Sequence, residues 1–200
     1  MFHSAIILLF LIICSGEGYF AKQLNHFTIR ILDTTVPCQL TKPDTSVFGI
    51  HLLNGNSSIK VIGEKYELIE DNIDMPHIRF NSNNNKQVLT LYFHYGGAKN
   101  KFSEFQIANN IAKRKNKALK TSEFVTNNKI KLGLTQTQLI KILGECFKSE
   151  KSNDKEVFKY RIDDFKNSHF LRVYNYPVYY ADYEFTKGRL TRFRFGFEYP

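Results

Sequence analysis

Hydrophobic positions along this chain follow three different patterns, and each predicts a different kind of element. Period-two alternation predicts strands in 27–32 (FTIRIL), 88–95 (VLTLYFHY), 102–107 (FSEFQI), 157–162 (VFKYRI), 170–176 (FLRVYNY), 178–185 (VYYADYEF) and 189–197 (RLTRFRFGF). The last two form a hairpin around Thr186-Lys187-Gly188. A three-residue loop with Gly188 left-handed would pair Phe185 with Arg189, Tyr183 with Thr191, Asp182 with Arg192 and Ala181 with Phe193. That register puts Tyr179, Ala181, Tyr183 and Phe185 on one side with Phe193, Phe195 and Phe197. Tyr180, Asp182, Glu184, Arg192 and Arg194 fall on the other. A slip of one residue would reverse every side chain, so the apolar set fixes the faces.

The second pattern is helical and short. In IKLGLTQTQLIKILG (130–144), Thr135 and Gln138 have the spacing of a capping box, in which each side chain bonds the other residue's backbone N–H. Leu139, Ile142 and Leu143 then make one apolar stripe, and Gly144 supplies a helix stop. Gly133 lets the chain bend or pack closely where it enters. Residues 58–63 (SIKVIG) echo 139–144 (LIKILG), each followed by a loop and alternating strands. The echo predicts two tandem units of about 80 residues.

The third pattern is an unbroken apolar run, 5–14 (AIILLFLIIC), followed by small and polar residues. Its length suits a signal-peptide core and is too short to span a bilayer, with Gly16 and Gly18 set for a cut after residue 18. A rival reading lipidates Cys14, although bulky Ile13 precedes it. The resulting organisation is a signal peptide over 1–18, a first, degenerate unit over 19–107, a basic linker over 108–124 and a second unit over 125–200. The linker carries Lys113, Arg114, Lys115, Lys117 and Lys120 against Glu123 alone. The fold class expected is α+β: two tandem units, each with short helices on one face of an antiparallel sheet.

Charge sharpens the picture. The chain carries a net +9, and residues 1–110 balance nine basic against nine acidic side chains, so the whole excess lies after residue 110. Such a field favours acidic partners and, for an exported chain, excludes intracellular nucleic acid. Export would place Cys38 and Cys146 in an oxidising space, as a disulfide or as two buried thiols. No histidine stands at metal-ligand spacing from another histidine or a cysteine, and no phosphate loop or nucleophile elbow is present. Cys146 and His169 make a poor nucleophile and base, because a helix C-terminus disfavours a thiolate. No enzyme, metal or cofactor is expected.

The residues Ile130, Gly133, Thr135, Leu143 and Gly144, followed by Tyr183, Phe185, Gly188, Arg189 and Leu190, carry a resemblance. Over about 75 residues the second unit resembles the SmpA/OmlA outer-membrane assembly lipoproteins and the β-lactamase-inhibitor-protein-like domains. The first unit does so weakly. The resemblance implies a non-enzymatic, secreted or envelope protein whose sheet binds another protein, without naming that protein. The surface expected to bind combines Phe170, Arg172, Tyr174, Tyr176, Tyr180, Arg192 and Arg194, residue types that dominate interface energies. The expected partner is a protein with an acidic surface, met by a monomer or weak oligomer that is secreted, periplasmic or peripherally attached to an envelope. The alternatives are an electrostatic binder of anionic glycans or lipid head groups, and a small secreted hydrolase.

Overall fold

The computed structural model describes residues 40–69, 75–98, 100–113 and 115–198. Contacts divide the chain into 1–35 and 36–200, and all described residues belong to the second unit. The signal peptide, Cys14, Cys38 and the strand expected at 27–32 lie outside the described residues.

The tandem α+β expectation is overturned. The described residues form ten strands and three short helices, with eight of the strands in one continuous sheet. A small hairpin, β1 (Ser46–Val47) and β2 (Ile50–His51), leads into helix α1 (Gly55–Ile62). A meander follows: β3 (His77–Asn81), β4 (Gln87–Tyr92) and β5 (Glu104–Asn109). The expected linker contributes β6 (Lys117–Ala118), which pairs parallel to β3. Helix α2 (Gln136–Leu143) precedes β7 (Lys148–Ser152) and β8 (Lys155–Ile162). Helix α3 (His169–Tyr174) then leads to β9 (Tyr179–Thr186) and β10 (Arg189–Phe197). The order across the sheet is β6-β3-β4-β5-β10-β9-β8-β7. The echo at the two helices is real in backbone terms, since Gly63 and Gly144 end them at φ 81° and 84°. It does not divide the sheet, because β5 and β10 hydrogen-bond directly.

Alternation explains the core. Ile78, Leu91, Phe105, Phe195, Ala181 and Tyr160 stand opposite one another in a single row across six strands, and all are buried. Leu89, Ile107, Phe193, Tyr183 and Phe158 make a parallel row. The face assignment for β9 and β10 holds, but the register differs from expectation. Arg189 pairs with Thr186, and Lys187 and Gly188 form a two-residue turn with positive φ at both positions. A bulge between Leu190 and Arg192 then restores the phase and sets Phe193 against Tyr183. Gly196 has φ 153°, and a Cβ there would lie 2.2 Å from the Ser103 carbonyl oxygen. Only glycine lets β10 close so tightly on the start of β5.

The apolar face is covered by the helices and by two chain segments, 40–53 and 124–134. Leu139 and Leu143 of α2 and Leu171 of α3 are buried there, as are Val47, Ile50, Phe124 and Ile130. The capping box forms as expected, with the Gln138 N–H donating to Thr135 and the Thr135 N–H donating to Gln138 Oε1 at 2.9 Å. Gly133 donates its N–H to the Leu190 carbonyl at 2.8 Å, tying the approach to α2 onto β10. Three tyrosines rise from the sheet into this layer. Tyr160 donates to the Gly144 carbonyl (2.8 Å), Tyr179 to the Asp44 carbonyl (2.8 Å) and Tyr183 to Asp44 Oδ2 (3.3 Å). The Asn128 N–H also donates to Asp44, and Asn127 Oδ1 accepts from Thr45 and Ser46, so the two covering segments are stitched together.

Burial raises the Asp44 carboxyl to about 6 from an ordinary 3.8, against the lowering effect of bonds from Thr126, Asn128 and Tyr183. The folded chain therefore holds this proton more tightly than the unfolded chain does. The contribution to stability is present at acidic pH and is lost as pH rises from about 4 to 6, a change of about 3 kcal/mol. Asp44→Asn should accordingly gain about 2 kcal/mol relative to wild type between pH 4 and pH 7, measured by urea unfolding at each pH. A difference that does not vary with pH would contradict this.

Candidate functional site

The polar face of the sheet is built by the residues that alternate with the core. Tyr180, Asp182, Glu184, Arg192 and Arg194 all lie on it, as the pattern predicts. Phe170, Tyr174 and Tyr176 do not join them, which corrects the expected surface. Residues 170–176 are not a strand. Ser168 caps α3 through the Leu171 N–H at 3.2 Å, and Asn175 ends it in the left-handed conformation. Phe170, Leu171 and Tyr174 have helical i, i+1, i+4 spacing and point at the apolar face. The rings of Phe170, Tyr174 and Tyr176 pack on Phe197 at centroid distances of 5.8, 4.8 and 4.9 Å. Arg172, on the solvent side of α3, donates to the Lys166 carbonyl.

Tyr180 and Arg194 are engaged with Glu104, which is 3% exposed. Arg194 Nε donates to Glu104 Oε2 at 2.7 Å, and the Tyr180 hydroxyl donates to the same oxygen. The Arg194 guanidinium carbon also lies 4.2 Å from the centre of the Tyr92 ring. Burial alone would lower the Arg194 pKa, but Glu104 beside it holds it above the usual range. Burial pushes the Tyr180 hydroxyl up, and the Glu104 charge adds to this. His94 Nε2–H donates to the Phe197 carbonyl at 3.0 Å and lies 3.8 Å from Glu104. This cluster is a clamp between β5, β10 and β9. Arg192 is the exposed member of the expected set on this face, and it shares Glu184 with Lys155, each at 3.0 Å.

The more open site is a cleft of about 620 Å³ next to Tyr180. It exists because β7 stops short. Lys148 stands opposite Lys159, and no β7 residue is registered against Tyr160, Arg161 or Ile162. The walls are Phe147 and Lys148 on one side, Tyr160 and Arg161 on the β8 edge, and Tyr180 and Asp182 beyond. Phe147 stacks on Phe158 at 4.0 Å, which holds the first wall against the core. Arg161 makes two bonds to the Glu198 carboxylate and one to Asp163, and its pKa is raised by the Glu198 hydrogen bonds. Lys159 pairs with Glu150 at 2.6 Å. Asp182 is held above its ordinary value by burial, which outweighs the attraction of Lys159. Sequence parity does place Lys159 and Arg161 opposite Phe158 and Tyr160. The premature end of β7, which opens the cleft, has no such signal.

Cys146 borders the cleft and is disulfide-bonded, so it is neither a free thiol nor a nucleophile for His169. Among the described residues no three His, Cys, Asp or Glu side chains gather as a metal site. Within the same limits no helix is long and apolar enough to cross a membrane. Glu104→Gln should cost about 3 kcal/mol, because Arg194 is left partly buried without its counter-charge. In an Arg194→Met background the same change should cost at least about 1 kcal/mol less, read from a double-mutant cycle in urea. Strict additivity would show that the two side chains do not form a clamp. No protein-family model, curated protein or solved structure matches this chain.

Proposed function

We propose that this protein is an exported, non-catalytic binding module that takes an extended segment of a partner protein at the cleft beside β8. The observation that carries the reading is a cleft of about 620 Å³ at the stretch of β8 that no described β7 residue pairs, with Arg161 exposed in its floor between the buried Tyr160 and Ile162. A strand edge offers backbone donors and acceptors to any extended chain, and side pockets supply specificity. Tyr180 and Arg161 flank that edge, and Tyr and Arg are the residue types that anchor interfaces. The bonds to Glu198 and Asp163 hold Arg161 in place, so less conformational entropy is lost when a partner binds.

The setting is supported separately. A disulfide at Cys146 suits an oxidising compartment, and the apolar run at 5–14 suits an export signal. The likeness of 130–144 and 183–190 to the SmpA/OmlA and inhibitor-like proteins favours an envelope or secreted role of the same binding kind. The cleft does not favour an acidic ligand, because Lys159 and Arg161 are already ion-paired there.

Peptides selected from a random display library against the full chain, followed by NMR chemical-shift mapping, test the reading. The selected peptides should shift amides in 145–148 and 160–163, and Arg161→Ala should weaken them about tenfold or more. Shifts confined to other parts of the chain, or unchanged affinity in Arg161→Ala, would overturn it.

A further inference from the structure

The positive charge is paired very unequally over the described surface. On the β7–β8 edge, Lys151, Lys155, Lys159 and Arg161 are each within salt-bridge distance of a carboxylate. Around the β3–β4 turn, the chain leaving β5 and the β6 segment, Lys86, Lys113, Lys115 and Lys120 make no ion pair among the described residues, and all are exposed. Lys117 gives its ammonium to the Ile62 carbonyl at 3.3 Å. Glu67 is the one acidic residue in the shallow depression that Lys115 and Lys117 share.

These lysines are held together by a net of asparagines. Asn110 donates to Asn85 Oδ1 at 2.9 Å, Asn116 to Asn81 Oδ1 at 2.8 Å, and the Asn83 N–H to the Thr121 carbonyl at 2.7 Å. The turns 82–86, 110–113 and 116–121 therefore sit at one end of the sheet. Ile111 projects from their midst and is 88% exposed. Its turn is closed by the Lys113 N–H donating to the Asn110 carbonyl at 3.2 Å. A large aliphatic side chain exposed on a braced turn gives up only its own rotamer freedom when it is buried by contact, because the backbone is already ordered.

We propose that this end of the sheet docks on the surface of an anionic phospholipid bilayer, with Ile111 inserting at the head-group level and Lys86, Lys113, Lys115 and Lys120 lying among the phosphates. Lysines around a projecting apolar tip fit a membrane plane, which requires charge and a wedge. A protein partner would instead be gripped by a shaped hollow like the one beside β8. The proposal does not rest on the peptide-binding reading, and the two sites lie towards opposite ends of the strands.

The chain contains no tryptophan, so Ile111→Trp is a unique fluorescent reporter. The full chain is used in every arm, so that the apolar run at 5–14 contributes equally. With vesicles of phosphatidylcholine and phosphatidylglycerol, Trp emission should shift to the blue, and added salt should reverse the shift. With phosphatidylcholine alone it should stay unshifted. Lys113→Gln/Lys115→Gln should lower partitioning onto the anionic vesicles about thirty-fold, and Ile111→Ser should lower it without altering the salt dependence. Peptide binding at the β8 cleft should be unchanged in these variants. An unshifted Trp on anionic vesicles, or equal partitioning of wild type and the double variant, would overturn the proposal. Binding to an acidic polypeptide such as polyglutamate but not to vesicles would overturn it too, in favour of a protein ligand.

Discussion

The seam between β5 and β10 is the constraint on which the rest of the structure depends. Two meanders, β3-β4-β5 and β8-β9-β10, would each expose a half-buried apolar face if left apart. Joined edge to edge, they align Phe105 with Phe195 and Ile107 with Phe193, so each core row runs unbroken from one half into the other. The joint is secured on both faces. On the apolar side the rings interlock, with Phe105 and Phe195 meeting edge to face at 5.6 Å. On the polar side Glu104 of β5 draws in Arg194 of β10 and Tyr180 of β9. Gly196 permits the close approach that this geometry requires. Burying a carboxylate is costly, and here its neighbours are a guanidinium and a phenol that would themselves be costly to bury alone.

Once the sheet is single, its apolar face is wider than three short helices can cover. The covering segments 40–53 and 124–134 make up the difference, and the sheet holds them through polar atoms as well as rings. A tyrosine hydroxyl in a core must find an acceptor. Tyr179 and Tyr183 find theirs on Asp44, and Tyr160 finds its own at Gly144, where α2 ends. The position of α2 therefore follows from Thr135 at its start and Tyr160 beneath its finish. The proposed cleft is a by-product of the same arrangement: after α2 the chain pairs with β8 only from Lys148 onward, which leaves 160–162 without a registered β7 partner.

Where the sequence was legible, the physics was local or strictly periodic. The capping box at Thr135 and Gln138, the stop at Gly144, the strand at 157–162 and the two faces of β9 and β10 depend only on neighbours in the chain. The register of that hairpin was not legible, because a bulge at Thr191 cancels the phase error of a two-residue turn and both solutions bury the same phenylalanines. Residues 170–176 satisfy alternation and helical spacing at once, and Ser168 with Asn175 decides between them. The joining of the halves was hidden because Glu104 and Arg194 are 90 residues apart and neither is unusual in its own segment. The charges that belong together near one end of the sheet were likewise scattered over three loops, visible as a basic stretch only between 113 and 120.

The place of β10 has a consequence for how the chain acquires its shape. Among the described strands it comes last in chain order, yet it sits in the middle of the sheet, hydrogen-bonded to β5 on one side and β9 on the other. Until it emerges from the ribosome, β5 is an open edge and the row of core side chains ends in water. The two meanders thus stay unjoined until β10 is made, and then consolidate in one step. That delay leaves a period in which transport machinery or a chaperone can engage a chain that has not yet closed.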